Sequence, residues 1–516
     1  MVCLVNRVCR ISAIRVGLHF FSPPRRKLML EPKSPEAEQG HSCCSKRSTT
    51  ADQQFNLVLI NPYELGRQPF ALAQASAWLK RAGFAVHCLD LALQKLEPAV
   101  LAKADAVAIY LGMHTATRIA MEALPRIRQL APHAQLAAFG LYAPMNADLL
   151  RASGVAAIFG GESEPDLVDW ANALQAGNTE VQQATIVRHD KIEFLPPDRS
   201  DLPQLERYAH LVLPDGSTRV SGFVDSTRGC KHLCRHCPVV PVYEGKFRVV
   251  PLSVVLADIE QQIAVGARHI SFGDHDFFNG PTHALNVVRV LHERWPDVTY
   301  DATIKIQHLI DHAALLPDLK ASNCLFIIAA VESVDDRVLG YLVKNHTRAD
   351  FYRAVALVKA TGIALAPTWV AFHPWTTLEA YLDLLKSLVE LQLVQAVPPV
   401  QLSIRLLVPA GSKMLDIPGF GDLIGGFDAK LLGYPWRNPD PRVDALQAEI
   451  QNYVMQAEKT NTPRQTVFTT IWRMAHAALG QTAPDLDGSE LGVAVPHMSE
   501  PWYCCAEPTE AQLQSF

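Results

Sequence analysis

Three cysteines stand close together in a chain of 516 residues, in the run Cys230-Lys231-His232-Leu233-Cys234-Arg235-His236-Cys237. Three thiolates at C-x3-C-x2-C spacing on one loop can ligate three irons of a cubane [4Fe-4S] cluster, leaving the fourth iron open to a small molecule. The competing reading is a zinc site or three unrelated buried thiols. Zinc usually takes four protein ligands, often as two separated pairs. The chain has no second C-x2-C, so His232 or His236 would have to complete such a site.

A second pair of sulfurs lies near the chain end, in Pro501-Trp502-Tyr503-Cys504-Cys505-Ala506-Glu507-Pro508. A disulfide between neighbours is strained, so the pair reads as two free thiolates. Two soft sulfurs on a tail can capture a thiophilic centre such as trivalent arsenic, or carry out thiol redox chemistry.

These groups need elements to position them. Short apolar runs at 56–60, 84–90, 106–111, 135–140 and 156–160 alternate with helical stretches, the first over 70–81. That alternation predicts a parallel, doubly wound sheet. It resumes at 221–224, just before the three cysteines, and continues through runs at 268–272, 298–303, 324–330, 363–370 and 400–406. Six strand–helix units predict a partial (β/α)6 barrel, in which the polar groups at the C-terminal strand ends line the site. That rule nominates Asp274, His275 and Asp276 after the second strand, Lys305 after the third, and Glu332 and Ser333 after the fourth. His373 follows the fifth, and Arg405 stands on the sixth. Cys324 opens an apolar strand and reads as a core thiol. Two helices, at 444–459 and 463–479, then precede the tail.

The cysteine spacing, following a strand, resembles the signature of the radical S-adenosylmethionine (radical SAM) superfamily. The resemblance implies that Cys230, Cys234 and Cys237 hold [4Fe-4S] and that SAM chelates the open iron. It places His236 near the adenine, where the family often has an aromatic residue. It gives Asp274, Asp276, Glu332 and Ser333 to the SAM amino, ribose or carboxylate groups, and Lys305 or Arg405 to the SAM carboxylate or an anionic substrate. It also implies an electron donor such as flavodoxin or ferredoxin. The first sheet resembles the cobalamin-binding-type domain that precedes many such barrels. Its D-x-H-x-x-G motif is absent, and Gly112-Met113-His114 does not have that spacing, which leaves cobalamin open. The Cys-Cys-Ala-Glu-Pro ending resembles the CUAEP/CCAEP-tail radical SAM group, which includes the radical SAM enzyme of arsinothricin biosynthesis. That resemblance implies transfer of the 3-amino-3-carboxypropyl group of SAM to arsenite held by Cys504 and Cys505, giving hydroxyarsinothricin. The alternatives are an ordinary 5′-deoxyadenosyl-radical enzyme, a cobalamin-dependent methyltransferase, or a thiol redox or metal-sequestering protein with a vestigial barrel.

Composition bounds the rest. The net charge of -5 implies no general nucleic-acid-binding surface, and no apolar run is long enough to span a bilayer. The 11 cysteines are clustered rather than spread as a disulfide framework, which with an oxygen-sensitive cluster fits a reducing cytoplasm. The expected organisation is a disordered extension over 1–52, the cobalamin-binding-like domain over 53–175, a linker over 176–220, the barrel over 221–425, and a helical region with the Cys-Cys tail over 426–516.

Overall fold

The computed structural model describes residues 54–178 and 185–500. The expected extension over 1–52 and the Cys504-Cys505 pair lie outside the described residues. Six short strands form the first sheet: β1 (Asn56–Asn61), β2 (Ala85–Asp90), β3 (Ala106–Tyr110), β4 (Gln135–Phe139), β5 (Ala157–Gly161) and β6 (Thr185–Arg188). Their order is β2-β1-β3-β4-β5-β6 and every pairing is parallel. A parallel sheet covered on both faces needs apolar residues at successive positions, not alternate ones. β1 meets that demand: Leu57 and Leu59 enter the core under helices Phe70–Arg81 and Glu164–Gln175, while Val58 and Ile60 enter the core under helix His114–Leu130. Each such side chain contributes about 1.5–3 kcal/mol on burial. The strand order reverses between β1 and β3, the point where doubly wound sheets open a crevice beyond their C-terminal ends.

The second sheet begins with β7 (His210–Val212) and β8 (Thr218–Val224). A short ribbon of β9 (Thr227–Gly229) and β10 (Phe247–Val249) follows. Then come β11 (His269–Phe272), β12 (Thr299–Thr303), β13 (Cys324–Glu332), β14 (Ala364–Trp369) and, far along the chain, β15 (His497–Met498). The order is β14-β13-β12-β11-β8-β7-β15; the five strands from β8 to β14 are parallel, and β7 and β15 add antiparallel at one edge. This curled half-barrel matches the expected α/β architecture, with one local difference. The expected sixth strand is reduced to a single parallel bridge, Phe372 to Arg405, with hydrogen bonds from the Phe372 N–H to the Ile404 carbonyl (3.0 Å) and from the Leu406 N–H to the Phe372 carbonyl (2.7 Å). Pro398 and Pro399 remove two ladder donors, and Pro399–Leu402 forms a 3-10 turn instead.

The stretch over 176–220, expected as a linker, supplies β6 to the first sheet, and β7 with the start of β8 to the second. Within it Arg199 ties the sheets together: its guanidinium donates to Asp258 (2.7 Å) and to Gln68 (2.9 Å). Helices Pro441–Lys459 and Arg464–Ala478 pack on each other and, through the second, on barrel helix Leu378–Glu390. Among the described residues no helix is long and apolar enough to cross a membrane.

Candidate functional site

The C-terminal ends of both sheets open into one cavity of about 310 Å3. From the first sheet it is walled by Tyr110, Phe139, Leu141 and Tyr142, with Tyr63 and Arg67 also lining it. From the half-barrel it is walled by Cys230, Cys234, Cys237, His236, Lys305 and Glu332. The three sequence-predicted cysteines therefore meet in one place, on the loop that leaves β8 and β9.

Local structure explains that placement. Asp274, just past β11, accepts from the Ser226 N–H (3.0 Å), the Ser226 hydroxyl (2.8 Å) and the Thr227 hydroxyl (2.5 Å). It pins the turn that leads into Cys230 and does not line the cavity. Burial, opposed by these hydrogen bonds, pushes its carboxyl up to about 6. On the other side Arg228 bonds to Glu162 (3.0 Å) and Glu164 (2.6 Å) at the end of β5. A buried arginine between two carboxylates fixes the cysteine loop against the first sheet.

On β13, Ile328, Ala330 and Glu332 share one face and line the cavity, as period-two alternation requires. The register slips between Ala330 and Glu332, and Glu332 takes a φ of +72°, which turns its carboxylate toward the cysteine loop. One oxygen stands 3.3 Å from His236 Nε2 and 3.2 Å from Lys344 Nζ. Burial works against the charged carboxylate, but the Lys344 ammonium and the His236 hydrogen bond outweigh it and hold the group down at about 2. Burial pushes the Cys230 thiol up. It also pushes Asp225, another wall residue, up to about 7, with the Asp274 charge adding to it.

The donors fit an iron–sulfur cluster by their charge as well as by their sulfur. Lys305 is 5% exposed, and among the described residues no carboxylate lies within ion-pair distance of it. Its ammonium stands 3.6 Å from Cys234 Sγ. A buried ammonium without a counter-charge costs several kcal/mol, so this lysine calls for an anion where the three sulfurs converge. Thiolates, or a cluster ligated by them, provide it.

His275 also lines this cavity, and the remaining nominated residues are placed elsewhere. Asp276 lies beneath the loop, against His232 (3.2 Å) and His308 (2.7 Å). Ser333 and His373 line a separate small cavity. Arg405 pairs with Asp444 (2.8 Å) and stacks on Trp436, 3.9 Å from the ring centre, at a third cavity beside the C-terminal helices. Cys324 is buried in the barrel core. The sequence reading missed Lys344 and Arg228. Lys344 sits in a loop where Val343 and Asn345 both take positive φ, and no spacing marks it. Arg228 has a signal in the sequence, a cation two residues before Cys230.

The Radical SAM superfamily model matches residues 224–385. Among curated proteins, tRNA-2-methylthio-N(6)-dimethylallyladenosine synthase of Hydrogenovibrio crunogenus is 24% identical over 281 residues, covering 50% of this chain and 56% of that protein. The synthase of the same name from Chlorobium phaeobacteroides is 26% identical over 185 residues, 33% of this chain and 39% of that one. The chain thus spans about half the length, or less, of these curated relatives. Among solved structures, the cobalamin-dependent S-adenosylmethionine radical enzyme OxsB, with aqua-cobalamin and S-adenosylmethionine bound, superposes with a TM-score of 0.64 at 13% identity, over 82% of this chain and 72% of that one. The radical S-adenosylmethionine methyltransferase TsrM from Kitasatospora setae, with cobalamin and a [4Fe-4S] cluster bound, gives 0.54 at 17% identity, over 66% and 73%. At such identities the likeness is one of fold, and it extends through the first sheet as well as the barrel. The half-barrel over residues 224–385, with the three-cysteine loop at its mouth, belongs to the radical SAM superfamily.

Proposed function

We propose that this chain is a radical SAM transferase that moves the 3-amino-3-carboxypropyl group of SAM onto trivalent arsenic held by Cys504 and Cys505. The observation that carries this reading is where the described chain ends. β15 pairs with β7, and two residues later the Glu500 carboxylate accepts from the Tyr63 hydroxyl at the cavity wall. Cys504 is four residues further on. At about 3.3–3.6 Å per extended residue, its Cα stays within about 14 Å of Glu500. Glu500, four residues before Cys504, thus stands against the wall of the cavity that contains the three cysteines.

Cys230, Cys234 and Cys237 would hold a [4Fe-4S] cluster, which when bound and reduced by a donor such as flavodoxin or ferredoxin supplies one electron to the SAM sulfonium. Lys305 and Lys344 balance negative charge at the sulfurs. Glu332 and His236 offer a carboxylate and an imidazole to the polar groups of SAM. Asp274 and Arg228 hold the loop still. Cleavage of the Cγ–S bond leaves methylthioadenosine and a 3-amino-3-carboxypropyl radical. Addition to arsenic forms the As–C bond; the electron that arsenic then gives up would return to the oxidised cluster, so one electron in is matched by one out, and water would displace the two thiolates. Cys504 and Cys505 would keep arsenite in place as a dithiolate.

A second reading, a cobalamin-dependent methyltransferase, is favoured by the fold likeness to OxsB and TsrM across the first sheet. The aromatic wall of Tyr110, Phe139 and Tyr142 offers apolar surface to a corrin, but among the described residues no histidine or cysteine of the first sheet lines the cavity to ligate cobalt. The deciding experiment is anaerobic turnover of the reconstituted, reduced protein with SAM, with and without arsenite, read by mass spectrometry. Methylthioadenosine with an arsenic-bound aminocarboxypropyl product is expected, and C504S/C505S should keep SAM cleavage while losing the arsenic product. Deoxyadenosine without an arsenic product, or bound cobalamin in the absorbance spectrum with methyl transfer, overturns the arsenic reading.

A further inference from the structure

Beneath the three-cysteine loop lies a second set of metal-ligating side chains that the proposed reaction does not use. His232 comes from the loop itself, between Cys230 and Cys234. Asp276 follows β11, and His308 is in the first turn of helix Ile306–Asp311, which follows β12. Asp276 is fully buried and His308 is 4% exposed. One Asp276 oxygen stands 3.2 Å from His232 Nε2 and 2.7 Å from His308 Nδ1, and the donor atoms of the three residues all lie within 4.8 Å of one another.

Two imidazoles and a carboxylate suit a divalent first-row ion such as zinc or iron(II). Bonds of about 2.0–2.2 Å to one ion put neighbouring ligand atoms about 3 Å apart at right angles and about 3.4 Å apart in a tetrahedron, so the observed 3.2 and 2.7 Å match or fall slightly inside the spacing that an ion would set. A second observation points the same way. His308 Nδ1 is buried, and although the Asp276 oxygen is within 2.7 Å of it, the pair does not have the alignment of a well-directed hydrogen bond. An imidazole placed only to bond that carboxylate would aim at it. A nitrogen that stands beside the oxygen but points past it is arranged as two ligands of one ion are. The other Asp276 oxygen is fixed by the backbone N–H groups of Phe278 and Lys305, each at 3.3 Å, the outer support that ligating carboxylates usually have.

We propose that His232, Asp276 and His308 form a mononuclear site for a divalent transition metal, distinct from the cluster of the three cysteines. A bound ion would clamp the loop between Cys230 and Cys234 to the ends of β11 and β12. Zinc is the probe. The full-length protein, with its cluster reconstituted and in the C504S/C505S background so that the tail thiols do not compete, is titrated with zinc, and iron, sulfide and zinc are counted per chain. A single zinc beyond the cluster is expected. H308A should weaken it by more than about 100-fold, beyond the roughly 10–100-fold that loss of an outer partner costs, with cluster iron unchanged. Cobalt substituted for zinc should show nitrogen and oxygen neighbours without sulfur at the cobalt X-ray absorption edge, a readout that the cluster does not mask and that needs no variant. Should H308A fold poorly, H308N serves in its place. Absence of zinc beyond the cluster, zinc unaffected by the His308 variants, or sulfur bound to the cobalt overturns the proposal.

Discussion

At the edge of the first sheet the cavity wall is mainly aromatic and glycine, Tyr110, Phe139 and Tyr142 next to Gly112, Gly140 and Gly161, with Glu64, Arg67 and Glu164 beside them. At the edge of the half-barrel, across the same space, it is sulfur and paired charge: three cysteines, Lys305, and Glu332 with His236 and Lys344. Both edges are C-terminal ends of parallel strands, and both folds place ligands there. The difference shows that architecture fixes where a site forms, while side-chain chemistry fixes what it can do. One wall supplies shape, the other reactive groups. Arg228 joins them, because it stands two residues before Cys230 and bonds to carboxylates at the end of β5.

The largest expected effect therefore comes from cutting that joint. R228A leaves Glu162 and Glu164 buried without their counter-charge, a loss of about 3–5 kcal/mol. Denaturant unfolding should show that loss, and reconstituted cluster iron should fall with it. R228K should recover only part, because an ammonium lacks the planar fork that reaches both carboxylates. Unchanged iron and stability in R228A would mean that the two walls are independent.

A pH experiment separates the walls more gently. Burial lowers His114 of the first domain to about 4, and it does the same to His275, His346 and His373 of the second. A histidine held below its usual 6.5 binds fewer protons folded than unfolded. Stability is therefore flat above about 6.5 and is lost as the pH falls toward 4. For His114 the fall from 6.5 to about 4 amounts to about 3 kcal/mol at the acid end. H114Q, which keeps a donor for the Leu431 carbonyl that His114 Nε2 meets at 2.6 Å, should remove that share of the acid sensitivity in thermal melts and leave the rest. An unaltered pH profile would show that His114 titrates normally in the fold.

The smallest effect tests shape alone. Gly161 has a φ of +68°, and a Cβ there would come within 2.1 Å of the Arg188 carbonyl oxygen. G161A should cost about 1–3 kcal/mol, seen as a lower melting temperature, with cluster content at low temperature unchanged. A loss of cluster iron as large as that of R228A would show that the first wall does more than give shape.

The sequence by itself determined the strand–helix alternation, because fully buried parallel strands must be apolar at successive positions, as in Leu57-Val58-Leu59-Ile60. It determined the three-cysteine loop, because ligand spacing along one loop is local. It also marked the strand ends as the place for polar groups, and Glu332 and Lys305 are there. It overreached at 400–406, where apolar residues promised a sixth strand and the two preceding prolines left one bridge. What only the tertiary structure decided is which of those polar groups face the cavity. Asp274 and Glu332 look alike as acids at strand ends, yet one pins a turn and the other meets Lys344. Their roles differ because a bulge and a positive φ re-aim Glu332, while two hydroxyls and an N–H claim Asp274. Arg405 stood in the right strand and pairs with Asp444 instead. Partners such as these lie 12 to 66 residues apart in the chain, and only tertiary packing, within the half-barrel for Lys344 and between the two sheets for Arg228, brings them within bonding distance.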